Sequence, residues 1–472
     1  MSKRWWALGF IALAQFMVIM DTSIIGVALP RMRTDLGFSP DGLSWVFNAY
    51  VVAFGGLLLL GGRLSDLFGA RRMFGAGWAV TLAGSVVAAL AGTAGVELVG
   101  RVLQGAGAAM IAPSALTLLM MLFGDRPKEL TKALALYGAA APAGGTAGVF
   151  LGGVITEWLS WPWIFWLYVP ISLLALLAAP ALMPAAPARR GAVDVAGAAA
   201  VTAGLALTVF AIVGAADQGW ASARTLGSLA GGIVLLAVFL VIQRKRRTPL
   251  VRLGIFRTPN LGGANLAQFL LGAAWIPMWY FLNLYLQQVL GYGAFASGAA
   301  LLPMTVLIVV LMVGAAPKLI ARFGSKPLIV AGLWALAAGL LWLSFASPTG
   351  TFVIDVLPAS LVAALGQALA FIPSLGTAIS SARPEEGGLA SGIVNTSYQI
   401  GSALGLAAMT VVGMSFGADR LGDAVALTNG FSAAFLGAAA IAVAGGFLAL
   451  ATLRTPKPAT AAEQSPDIAP AS

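Results

Sequence analysis

The chain has 472 residues, of which 60% are hydrophobic and only 9% charged, and its mean hydropathy is +0.93. That is more apolar surface than a soluble domain can cover with polar residues, so the composition places the chain in a membrane. Cysteine and histidine are both absent, which excludes disulfides, thiol nucleophiles, imidazole bases and the usual zinc and haem ligands. No enzyme chemistry, cofactor or metal is expected. The net charge of +10 reads first as a topology signal, without a nucleic-acid partner.

In chain order, the stretch "MSKRWWALGFIALAQFMVIM" begins like a signal peptide, but its apolar run is too long and no small-residue cleavage site follows. It is expected to be a retained first span. A helix crosses the hydrocarbon in about 20 apolar residues. Dividing the chain at its charged or Gly/Pro-rich breaks gives segments starting near Trp5, Leu43, Met73, Val96, Ala133, Trp163, Val195, Thr225, Leu261, Ser297, Leu328, Phe352, Ala390 and Gly430. An all-α protein of fourteen membrane helices is therefore predicted.

Placing the N-terminus in the cytoplasm gathers the lysines and arginines on one side, all except Arg31, Arg33, Arg101, Arg224 and Arg420. The positive-inside rule then puts both ends in the cytoplasm of a cell inner membrane or plasma membrane. The basic run from Arg244 to Arg247 reads as a topology anchor, with an anionic lipid headgroup as the alternative. The tail from 454 to 472 has no apolar face and is expected to be disordered.

The turn "GGRLSDLFGARR", Gly61 to Arg72, has a fainter echo in "PKLIARFGSKP". Aligned at Gly69 and Gly324, Arg63 matches Lys318, Leu64 matches Leu319, Phe68 matches Phe323 and Arg71 matches Lys326. "ALYGAAAPAGGTAG" is echoed by "NTSYQIGSALGLAA". A duplication follows: a six-helix bundle over 1–183, two inserted helices with basic linkers over 184–259, and a second bundle over 260–453. Gly62, Asp66, Gly69 and Arg71 are candidate gating residues. Asp66 is placed to accept from backbone amides at a helix start or from an arginine across the interface between the bundles.

With these residues in view, the chain resembles the major facilitator superfamily, and within it the fourteen-helix drug/proton antiporter group. The loop signature matches at Gly62, Leu64, Asp66, Gly69 and Arg71, with Leu67 and Ala70 where basic residues are expected. "MDTSIIGVALP" is similar to the group's first-helix signature, and "GRVLQGAGAAMIAPSA" matches its fourth-helix signature through Arg101, Gln104, Gly105, Gly107 and Pro113. The fifth-helix antiporter signature is met by Gly148, Gly152 and Gly153, with Val149 in place of proline. "WPWIFWLYVPI" resembles a further group motif, with Pro162 and Tyr168 at its variant positions. The resemblance implies alternating-access export of small lipophilic, often cationic drugs in exchange for protons, by a monomer among membrane lipids. Export of one dedicated metabolite, lipid or antibiotic, nutrient uptake, and a non-transporting sensor are the alternatives.

An ionisable side chain inside a span is costly and functional by default. Asp21 lies roughly 24 Å along the first helix, and Arg101 is expected at similar depth, both facing a central cavity as a proton-coupling pair. A structural ion pair that never titrates is the alternative. Asp355 and Glu97 are weaker candidates, because each lies near a helix end and is expected to be solvated. In the ninth span Asn265, Gln268, Gly272, Trp275, Trp279, Asn283 and Gln287 share an arc of roughly 120°. This stripe is either a substrate pocket or interhelical amide glue with Trp anchors. Asn48, Gln367, Asn395 and Gln399 are possible additions, and Pro277 predicts a kink. Gly144, Gly148 and Gly152 permit close helix packing, and Gly148 and Gly152 are also candidate gating residues, as a tightly packed pivot or a seal against proton leak. No nucleotide-binding loop occurs, so a gradient must drive any transport.

Overall fold

A computed structural model describes residues 3–38, 45–185, 194–246, 249, 253–383 and 387–454. Among these residues all regular structure is helical, as the membrane demands of open-chain segments, because only a helix satisfies every backbone group internally. Twelve helices among the described residues are long and apolar enough to cross a membrane. They are α1 (Lys3–Gly26, its helix running on to Leu36), α2 (Trp45–Phe68), α3 (Ala70–Ala89), α4 (Ala94–Phe123), α5 (Lys128–Thr156) and α6 (Pro162–Leu182) in the first half. The others are α8 (Ala223–Lys245), α9 (Leu261–Val289), α10 (Phe295–Phe323), α11 (Ser325–Leu343), α12 (Phe352–Ser380) and α14 (Ala424–Thr452). Two further long helices, α7 (Val195–Gln218) and α13 (Gly387–Ser415), take the remaining positions of the expected fourteen. The tail after Arg454, together with Arg189, Arg190 and Arg247, lies outside the described residues.

The packing repeats at an offset of eight elements. In the first half α5 lies on α1, α4 on α2 and α3, and α6 on α3; in the second α13 lies on α9, α12 on α10 and α11, and α14 on α11. Two six-helix bundles result, and they meet along α2–α13 and α5–α10. The inserted α7 and α8 pack on each other, and α7 also lies against α2 and α13. Leu59 of α2, Val201 and Leu205 of α7, and Leu389 and Ile393 of α13 form one buried cluster there.

The echoed glycines occupy the same corner in both bundles. Gly69 joins α2 to α3 with φ 91° and ψ 133°, and Gly324 joins α10 to α11 with φ 79° and ψ 173°. A side chain is strained in that region, so both turns require glycine. The helix around Pro277 continues without a break from Leu261 to Leu284 and ends in a π-helical turn, Tyr285–Val289. The departure from α geometry thus falls after the proline, at the end of the helix.

Candidate functional site

Asp21 of α1 and Arg101 of α4 do meet. Arg101 Nη1 stands 2.6 Å from Asp21 Oδ1, and the residues are 2% and 1% exposed. Arg101 also donates from Nε to the Val46 carbonyl at 2.8 Å and from Nη1 to Gln104 Oε1 at 2.7 Å. Gln104 Nε2 in turn donates to Ser85 Oγ at 2.9 Å. The guanidinium carbon lies 4.8 Å from the Tyr50 ring centroid. Tyr50 and Tyr168 donate to the Val18 and Met17 carbonyls on α1.

All these partners belong to α1, α2, α3, α4 and α6. The pair therefore sits inside the first bundle, against a small cavity of about 10 Å³ lined in part by Met17, Trp78, Thr81 and Tyr168. This differs from the expected position on a central cavity. The reason is that α1 is apolar on nearly every side, so sequence gives no face for Asp21. In low dielectric neither charge is tolerable alone, and removing one partner of such a pair costs roughly 3–5 kcal/mol.

The glycines of α5 hold α1 in place. A Cβ on Gly144 would strike the Phe16 carbonyl oxygen, one on Gly148 would lie 2.8 Å from the Met20 carbonyl oxygen, and one on Gly152 would lie 2.9 Å from that of Ile24. The stripe thus tracks α1 past Asp21, turn by turn. The second bundle does the same on α13, where a Cβ on Gly401 or Gly405 would strike the Phe269 or Ala273 carbonyl of α9.

The amide stripe of α9 is buried at Asn265, Gln268 and Trp275 and half-buried at Trp279, Asn283 and Gln287, and its members do different things. Gln268 donates to the Phe371 carbonyl at 3.1 Å and to Ser374 Oγ at 2.9 Å, tying α9 to α12. Asn265 donates to its own helix at Leu261 and accepts from Ser397. Asn283 and Ser297 both accept from Gln287 at 3.2 Å. The Trp275 and Trp279 rings lie with centroids 6.2 Å apart, tilted by 41°. Trp279 reaches across the seam, where a Cβ on Gly145 would lie 3.6 Å from its ring. Gln367 is buried and its carbonyl oxygen has no hydrogen-bond partner among the described residues. Asp355 lies apart from all of these and accepts from the Thr351 and Ser347 amides at 2.7 and 3.4 Å, shaping the turn before α12.

At the seam, Asp66 Oδ2 accepts from the Leu389 amide at 3.1 Å. That amide lies in the first turn of α13, whose N–H groups have no intrahelical acceptor. This is the backbone partner at a helix start expected for Asp66. Beside it a Cβ on Gly392 would lie 3.7 Å from the Gly62 Cα. On the α5–α10 seam the Thr146 and Thr305 hydroxyls bond to each other, and the Phe150 and Phe295 rings lie 5.0 Å apart.

Glu97 is where sequence reasoning misses most. Expected to be solvated, it is 0% exposed, and neither carboxyl oxygen has a hydrogen-bond partner among the described residues. It lies one helical turn before Arg101, within electrostatic reach of Arg101 and Asp21. The i, i+4 spacing of Glu97 and Arg101 was the available signal.

A family model described as Major Facilitator Superfamily matches residues 11–406. The chain belongs to the major facilitator superfamily. It is 38% identical over 460 residues to a cephamycin export protein of Amycolatopsis lactamdurans, covering 96% of this chain and 93% of that one. It is 36% identical to a puromycin resistance protein of Streptomyces alboniger, covering 89% and 84%. Among solved structures, the human organic anion transporter MFSD10 superposes with a TM-score of 0.66 at 15% identity, over 95% of this chain and 100% of that chain. At that identity the superposition speaks for the superfamily fold alone.

Proposed function

We propose that this superfamily member exports small lipophilic, often cationic drugs across the membrane by alternating access, in exchange for protons. The observation that carries the coupling is the Asp21–Arg101 pair, an acid and a base enclosed in one bundle of a two-bundle transporter fold. An ionisable residue that deep is retained at a cost, and proton transfer is the use that such a cost most readily serves. Drug export is supported by relatives named for antibiotic export and resistance. Half-buried Trp279 offers a flat apolar face beside the seam for such molecules, and Asp66 latches the end of α2 to α13. That end is the cytoplasmic one in this reading.

A second reading is supported by the same relatives, two of which are named for single antibiotics. In it the chain exports one antibiotic rather than many drugs. Growth of a sensitive host on unrelated toxic compounds separates the two, because a dedicated exporter protects against few. The coupling is tested by uptake of a lipophilic dye cation into inside-out proteoliposomes under an imposed proton gradient, wild type beside Asp21→Asn. Gradient-driven uptake lost in the variant supports the proposal; uptake equal in both refutes coupling through Asp21.

A further inference from the structure

Among the described residues, the interior of the first bundle holds two carboxyl groups, Asp21 and Glu97, and one guanidinium, Arg101. Asp21 on α1 is paired to Arg101 through Nη1. Glu97, on the first turns of α4, is fully enclosed with both oxygens unpartnered among the described residues. Arg101 Nη2 likewise has no hydrogen-bond partner. Tyr50 of α2 and Tyr168 of α6 also face the pair, and both donate to α1 carbonyls. The residues that α3 turns toward the pair are neutral: Trp78, Thr81 and Ser85.

Two acids and one base balance only if one proton is bound. A second unpaired carboxylate in this setting would carry the full cost of an isolated buried charge. From this juxtaposition we propose that Glu97 is a second proton-binding group, and that Glu97 and Asp21 share one proton and compete for Arg101. This deepens the proton-coupled reading above and rests on it. The step is a simple proton transfer. The proton on a Glu97 oxygen passes to the Asp21 carboxylate, which gives up the guanidinium, and the Glu97 carboxylate formed takes the free Arg101 Nη2. The reverse transfer returns the proton to Glu97 and restores the Asp21–Arg101 pair.

The test reads the carboxyl groups directly, so it does not depend on finding a transported drug. Purified protein in lipid nanodiscs is examined by infrared spectroscopy at neutral pH, following the C=O stretch of protonated carboxyl groups. Wild type should show one buried carboxyl band. Glu97→Gln should lose it, because Asp21 alone then pairs with Arg101. Asp21→Asn should lose it too, because Glu97 becomes the sole partner. Absence of the band in wild type, or its persistence in either variant, overturns the proposal. If Glu97→Gln does not fold, Glu97→Asp serves instead: the band must shift in frequency, and an unshifted band overturns the assignment. A failed dye-uptake assay with the band behaving as described would count against drug export and leave the shared proton standing.

Discussion

Asp66→Ala removes the hydrogen bond between an ionised acceptor and the Leu389 amide, across a seam that must part if the bundles rock. Such a bond contributes about 1.5–3 kcal/mol. If it is made only in the latched state, its loss moves the equilibrium toward the opened seam by that amount, about ten- to a hundredfold at 1.4 kcal/mol per decade. Ser391 makes a suitable reporter. It lies two residues beyond Leu389, is 0% exposed, and its hydroxyl has no hydrogen-bond partner among the described residues. The chain carries no cysteine, so Ser391→Cys gives a single thiol in an otherwise native protein. Its maleimide labelling rate in membranes should rise by the same ten- to a hundredfold when Asp66→Ala is added, and by less with Asp66→Asn, which keeps a neutral acceptor. Rates equal to within about twofold, the usual error of assuming additivity, would refute the latch.

Three further outcomes follow from packing. Gly148→Val places a branched side chain against the Met20 carbonyl and should destabilise the protein by about 1–3 kcal/mol, the usual cost of overpacking. Thermal unfolding in detergent checks it, with Gly9→Ala, which meets nothing within 4 Å, as the unchanged control. Gly69→Ala and Gly324→Ala should each cost about 1–3 kcal/mol for backbone strain. Asparagine should not rescue either site, because their ψ values of 133° and 173° lie outside the left-handed helical well; the same unfolding measurement decides. Gln268→Leu leaves the Phe371 carbonyl and Ser374 without their α9 donor. It should cost about 1–3 kcal/mol, and a variant as stable as wild type would remove the role of Gln268 as a tie between α9 and α12.

Much of the fold is legible in the sequence because a membrane imposes few solutions. Apolar runs of spanning length give the helices, and the paired glycine corners give the duplication. The Asp21–Arg101 pairing is legible for a similar reason, since two opposite charges in neighbouring apolar runs have few other places to go. The direction they face is not. Helical periodicity needs a polar side to work against, and α1 offers almost none. Depth along a helix also misjudges solvation. Glu97 and Asp355 both sit near helix ends, yet Asp355 binds the backbone of its loop while Glu97 is enclosed. At that level α3 lies directly on α4, close enough that a Cβ on Gly100 would come within 2.8 Å of Ala88, and the sequence of α4 alone does not record its neighbour. The α9 stripe shows a further limit. One face groups residues that tie helices together, such as Gln268, with residues that reach the other bundle, such as Trp279.

The bond at Asp66 also bears on how this protein tolerates inherited change. Its donor is a main-chain amide, so half of the contact is present whatever residue is encoded at 389. Replacements there must still suit the apolar cluster with Leu59 and Val201, but they cannot delete the hydrogen. Only proline can, since it has no amide to donate. The mutational target of the contact is thus confined almost wholly to one codon on α2, and lineages can revise the start of α13 without losing it.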